Sequence, residues 1–232
     1  MISQFISAFL ILRALLTGKE KYCLRLSEIR FDKRKAVGIL QIGIPSAFQY
    51  SLFAFANLFV QSSVNSFDHV LVEGNSAAAN ADPLVYDMMA AFYTACSSFI
   101  AQNFGARKKK RILQTYLICL FYSFITSLVL GVGIYLARYP FLYLFTSDKA
   151  VVEAGITRLS IMALSYSASA FMDASIAASR GLGKTAVPTF VVVMGSCVFR
   201  IIWIYTIFAY FHTIQSLYIL YVFSWGITAI AE

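Results

Sequence analysis

ILQTYLICLFYSFITSLVLGVGIYLA, residues 112–137, carries no charged side chain. About 20 mostly apolar helical residues cross a hydrocarbon core of ~30 Å, so this stretch is long enough to span a membrane. Lipid supplies no hydrogen-bond partners, so the segment must satisfy its own backbone as a helix. Its apolar residues run together without the alternation a barrel strand needs. Outward from it, residues 37–65, 83–105, 151–178, 186–211 and 214–231 read the same way, as spans or near-spans. Residues 2–16 form a shorter apolar run containing Arg13, without the basic start or small-residue cleavage site of a signal peptide. It reads as the end of a preceding helix. The whole is an all-α polytopic membrane helix bundle.

Composition agrees. Over 232 residues, 59% are hydrophobic and only 13% charged, with a mean hydropathy of +0.72. Soluble domains carry nearer a quarter charged residues. The net charge of +8 would suggest nucleic acid on a soluble protein. Here the basic residues sit between spans, and no nucleic-acid partner is expected. Seven Lys and Arg lie in residues 17–35, none in 68–81, five in 106–111, two in 138–149, two in 180–185 and none in 211–216. The two large clusters fall on alternate connections, as the positive-inside rule requires. The basic connections, and with them the C-terminus, are expected to be cytoplasmic. Residues 68–81 are expected to be a polar loop broken by Gly74 and Asn75, and residues 138–149 a short loop holding Pro140.

Catalytic chemistry finds little footing. Cys23, Cys96, Cys119 and Cys197 show neither CxxC nor Cys/His spacing, and His69 and His212 stand apart in expected loops. No metal site, disulfide framework or enzyme is expected. The string RGLGK at residues 180–184 lacks phosphate-loop spacing and reads as a tight turn. The basic run 107–111 reads as a helix cap near anionic lipid headgroups.

Polar residues inside spans are the informative ones. Gln41, Gln49, Asn57, Gln61 and Asn65 lie mostly four or eight apart, forming a stripe on one helix face. Such a stripe serves either as hydrogen-bond glue between helices or as the lining of a substrate path, and both readings stay open. Asp87, Asp173 and Arg200 are ionisable groups within spans, which are functional candidates by default. Tyr166, Ser169 and Asp173 share a face at i, i+3 and i+7. They form either an oxygen site for Na⁺ or, through Asp173, a proton carrier. The structural alternative is an ion pair of Arg200 with Asp173 or Asp87.

Five strings add a resemblance. IGIPSAFQ (42–49), AAANADPLVY (77–86), AQNFGARKKKR (101–111), SRGLGKTAVP (179–188) and FRIIWIYTIF (199–208), in this order, resemble the C-terminal half of multidrug and toxic compound extrusion (MATE) transporters. The likeness implies a six-helix lobe over residues 37–232, one of two around a central cavity. Residues 1–16 would then close the N-terminal half, and residues 17–36 form a basic cytoplasmic linker. It implies a secondary active antiporter in the plasma membrane, exporting organic cations or drug-like compounds in exchange for H⁺ or Na⁺ and using no other cofactor. Asp173 falls where some members place a coupling acid, while the first helix of the lobe offers Gln49 and Asn57 instead of an acid. Asp173, Tyr166 and Ser169 are the expected ion-coupling residues. Gln49, Asn57, Gln61, Asp87 and Arg200 are the expected cavity residues. The implied partners are a small-molecule substrate, membrane lipid, and a missing N-terminal lobe or a second copy. The alternatives are a lipid-linked precursor flippase of related fold and a non-transporting membrane fragment or scaffold.

Overall fold

The computed structural model describes residues 2–17, 24–25 and 29–232. Cys23 and much of the expected linker, residues 17–36, lie outside the described residues. The chain divides into two units, Met1–Gln41 and Ile42–Glu232. In the first, helix α1 (Ile2–Thr17) is apolar along its length, and Leu24 N donates to Leu15 O at 2.8 Å. Asp32 opens the next helix, α2 (Lys33–Val64), accepting from Arg34 N at 2.9 Å and Lys35 N at 3.2 Å. A carboxylate there satisfies two of the amides that a helix start leaves unpaired.

The second unit carries the rest of α2, then α3 (His69–Ala79), α4 (Ala81–Gly105), α5 (Lys109–Leu136), the short α6 (Arg138–Tyr143), α7 (Lys149–Gly181), α8 (Ala186–Phe211) and α9 (Ile214–Ala231). With α3 and α4 taken together as His69–Gly105, six segments are long and apolar enough to cross a membrane. Large apolar side chains such as Phe55, Leu117, Phe121, Val129 and Ile202 stay exposed, as lipid-facing residues would. Helix α7 is the hub. It packs on α3, α4, α5 and α9, and 56% of its most apolar window is buried, against 11% for α2.

The expected loop at 68–81 is instead mostly helix. Asp68 caps α3 by accepting from Leu71 N at 2.9 Å. Gly74, Asn75, Ala77 and Ala78 are buried. A Cβ on Gly74 would stand 2.7 Å from Ala154 Cβ and 2.8 Å from Val151 O. The small residues that look like breakers let α3 approach α7 closely, the usual device between membrane helices. Pro140, expected in a loop, occupies the first turn of α6, where its missing N–H costs nothing. Helix α5 approaches α7 through Gly131, where a Cβ would stand 2.0 Å from Ala163 O.

Helix α8 is not regular. Residues Val193–Val198 and Ile204–Phe208 are π-helical, and Arg200 lies between them. The helix ends on His212 in the left-handed region, φ 48°. The 180–184 turn closes as expected: Lys184 N donates to Ser179 O at 2.9 Å, with Gly183 at φ +78°.

A candidate functional site: three arginines around one cavity

A cavity of about 690 Å³ lies within the second unit, lined from α2, α3, α4, α7, α8 and α9. That falls in the range of small-molecule sites. Its walls are aromatic, with Tyr50, Phe53, Tyr86, Tyr221 and Trp225 among them. Three guanidinium groups and two carboxylates also line it: Arg158, Arg180, Arg200, Asp82 and Asp173.

Arg158, near the start of α7, is 6% exposed. It donates from Nη2 to Asp82 Oδ2 at 2.6 Å and from Nη1 to Asn75 O at 3.1 Å. The other oxygen of Asp82 accepts from the Tyr166 hydroxyl. One carboxylate at the start of α4 thus holds two side chains of α7. A cation this deep in a low-dielectric interior needs such a partner.

Arg180, at the other end of α7, donates to the Tyr93 hydroxyl at 2.7 Å and to Gln49 Oε1 at 3.0 Å. Gln49 Oε1 also accepts from Thr189 Oγ1 at 3.2 Å, so one amide of α2 ties α7 to α8. Arg200 is fully buried. It donates to Asn57 Oδ1 at 2.7 Å and to Ser224 Oγ at 3.3 Å. Its guanidinium lies over the rings of Phe53 at 4.6 Å and Tyr221 at 4.5 Å.

Of the residues singled out from sequence, Gln49, Asn57, Gln61, Asp173 and Arg200 meet on this one cavity. The α2 stripe serves both of its readings, since Gln49 and Asn57 line the cavity and also bind helices α7 and α8 through their arginines. Asp87 is exposed and lies away from the cavity lining. The turn of α4 that brings Tyr86 inward carries its neighbour outward. Tyr166, Ser169 and Asp173 do not converge on a point. The Tyr166 hydroxyl goes to Asp82, and Ser169 Oγ turns back to Tyr166 O at 2.9 Å. Helical spacing put the three Cα atoms on one face, but not their oxygens. The structural alternative, an ion pair of Arg200 with Asp173 or Asp87, is not formed among the described residues; Arg158 and Asp82 make an ion pair. Among the described residues, the Asp173 carboxylate lines the cavity, accepts no hydrogen bond and forms no ion pair within 4.0 Å, and it lies within electrostatic reach of Arg180.

Sequence reading missed Asp82, Arg158 and Arg180. Arg180 falls in the 180–184 turn, and Asp82 lies between the expected loop 68–81 and the span that starts at 83. Arg158 lies two turns inside α7, and that depth was the available signal.

No curated protein matches the chain. Several solved structures do. One of MATE in the straight conformation has a TM-score of 0.87 at 18% identity, over 99% of this chain and 52% of that one. A MOP superfamily transporter from Pyrococcus furiosus, for which a reversed polarity of the binding pocket suggests a different function, gives 0.87 at 19%, over 99% and 52%. An outward-facing multidrug resistance MATE family transporter of the MOP superfamily gives 0.86 at 20%, over 99% and 52%. The chain spans about half the length of the structures it matches, and the likeness establishes the fold. The MatE family profile matches residues 45–206, well over half of the sequence, and the chain belongs to the MatE family, a family of membrane transporters and not of enzymes.

Proposed function

We propose that the chain works as one lobe of a secondary active exporter, an antiporter that exchanges H⁺ or Na⁺ for an amphipathic organic compound. The observation that carries this reading is a single cavity holding aromatic walls and an uncommitted carboxylate, Asp173. Asp173 takes the coupling ion, with Tyr166 and Ser169 as the scaffold behind it on α7. Ion binding shifts an equilibrium between inward- and outward-open arrangements of two bundles. The second bundle is an N-terminal lobe or another copy of this chain, and surrounding lipid seals both. The protein resides in the plasma membrane with its C-terminus in the cytoplasm, as the basic connections favour.

A second reading has its own support. Two cavity guanidinium groups without a contacting carboxylate, Arg180 and Arg200, favour a ligand with a negative head, as in a flippase for lipid-linked precursors, over the organic cations that the family resemblance suggests. For the Pyrococcus furiosus protein, too, a reversed polarity of the binding pocket suggests a different function.

Proteoliposomes carrying the chain with its partner lobe test the antiporter reading. A pH or Na⁺ gradient should drive loss of a loaded fluorescent amphiphile, and Asp173→Asn should abolish that drive. Gradient-driven movement that survives Asp173→Asn refutes the coupling role.

A further inference from the structure

One of the three arginines around the cavity, Arg200, has no carboxylate acting on it. Asp82 is committed to Arg158 and Tyr166. Arg180 and Arg200 hydrogen-bond only to neutral groups, namely Tyr93, Gln49, Asn57 and Ser224. Asp173 is the one remaining carboxylate in the lining; it forms no ion pair within 4.0 Å with either, but it and Glu232 lie within electrostatic reach of Arg180, whereas no carboxylate acts on Arg200.

Arg200 is the more telling of the two. It is 0% exposed, yet among the described residues its Nη2 has no hydrogen-bond partner. Arg180 Nε is likewise buried and unpartnered. A guanidinium presents five N–H donors in a planar fork, and the geometry matches a carboxylate or phosphate edge. Phe53 and Tyr221 cover the rings' side of Arg200, and Asn57 and Ser224 take two of its donors. A buried cation stabilised only by π faces and neutral acceptors, with donors left over, is a site short of one anionic acceptor. Trp225, Tyr86 and Tyr221 then supply apolar wall for the rest of the molecule.

We propose that Arg200, with Arg180 on the same cavity, binds the carboxylate or phosphate head of an amphipathic organic anion, whose apolar body lies against the aromatic wall. This rests on the transporter reading for the loading and emptying of the cavity, but not for binding. An anion on Arg200 and a coupling cation on Asp173 occupy different groups, so exchange runs through the conformational equilibrium and not through competition for one site. The head belongs either to a free organic anion or to a lipid.

Trp225 lines the cavity and Trp203 does not, and these are the chain's two tryptophans. In a Trp203→Phe background, Trp225 fluorescence is therefore the readout, with 6-bromo-2-naphthoate as a heavy-atom quencher and the matched (6-bromo-2-naphthyl)trimethylammonium as the cationic control. A parallel arm uses nanodiscs containing brominated phosphatidate or brominated phosphatidylcholine. The naphthoate should quench saturably and more tightly than the cation, and Arg200→Gln should weaken it by about ten- to a hundredfold, the loss of a hydrogen bond to a charged group. Arg200-dependent quenching confined to the phosphatidate discs supports the proposal with lipid as the source. If Arg200→Gln does not stay monodisperse, Arg200→Lys decides, since it keeps the charge and loses the fork; it should bind several-fold more weakly. Tighter or equal binding of the cation, or an anion affinity unchanged in the folded Arg200 variant, overturns the proposal. Naphthoate binding without gradient-driven transport refutes the transporter reading and leaves the anion site standing; gradient-driven transport of a cation without naphthoate binding does the reverse.

Discussion

Replacing Asp82 by alanine should expose how the lobe is held together. Asp82 is the counter-charge of Arg158 at 2.6 Å, with side chains 25% and 7% exposed respectively. Removing it leaves a buried guanidinium with only Asn75 O as acceptor, and leaves the Tyr166 hydroxyl without its partner. Breaking a fully buried pair in this way costs about 3–5 kcal/mol. Asp82 is partly wet from the cavity, which lowers the figure to about 2–4 kcal/mol. Asp82→Asn keeps an acceptor for Tyr166 and should cost less. Asp82→Ala with Arg158→Met removes both charges and should recover most of the loss, since an apolar pair of similar volume is often neutral. The assay is reversible unfolding in mixed micelles, followed by far-ultraviolet circular dichroism. If the single and double variants lose the same stability, the ion pair does not hold α4 to α7 and the reasoning fails.

Gly131→Ala should destabilise by about 1–3 kcal/mol through overpacking, because its Cβ would meet Ala163 O at 2.0 Å; the same substitution at Gly133, with open space around it, is the control, and equal melting of the two variants in detergent would sink the close approach of α5 to α7. Gly74→Leu should separate α3 from α7, read as faster proteolysis between residues 65 and 81; an unchanged cleavage rate would count against α3 as a packed helix. Cysteines placed at Lys108 and Lys184 should react with an impermeant maleimide from one side of the membrane, and a cysteine at Ser147 from the other; reaction of all three from the same side would overturn the threading. Gln49→Ala should cost stability by about 1–3 kcal/mol, since Arg180 and Thr189 both donate to its one oxygen at 3.0 and 3.2 Å and a buried donor left unpaired carries its desolvation penalty; a loss no larger than that of Gln61→Ala would contradict this.

The spans were legible because lipid imposes one constraint on every residue within them, so uncharged length decides the element. Where tertiary contact decides, composition misled. Residues 68–81 hold Gly, Asn, Asp and Glu, the letters of a loop, but Asp68 is a cap and Gly74 and Ala78 are a packing surface. The cavity was half visible. Gln49, Asn57, Asp173 and Arg200 announce themselves as polar groups at membrane depth. Asp82 and Arg180 sit at helix ends, where charge is ordinary and hides a buried role, and Arg158, two turns inside α7, is the one whose depth was readable. Asp87 shows the opposite error, since it looks intramembrane by position but projects from the wrong side of α4. Tyr166 and Ser169 mark the limit of face arguments: shared Cα direction says nothing of where a hydroxyl finds its acceptor.

The π-helical stretches on either side of Arg200 carry a consequence for how this chain can vary. Each wide turn accommodates an extra residue beyond the α-helical repeat, and one residue is worth about 100° of rotation around a helix axis. Deleting Gly195 would remove the residue that the first wide turn absorbs and return the stretch to the α-helical repeat, with Arg200 still facing Asn57 and the two rings that hold it. The same deletion in the regular turn before it, Ala186–Val192, would instead swing Arg200 about a quarter turn around α8. In the second case the helix would keep its hydropathy and its place in the membrane while the cavity lost its central charge. The two wide turns are therefore the places where this helix can lose a residue and still present the same groups to its cavity.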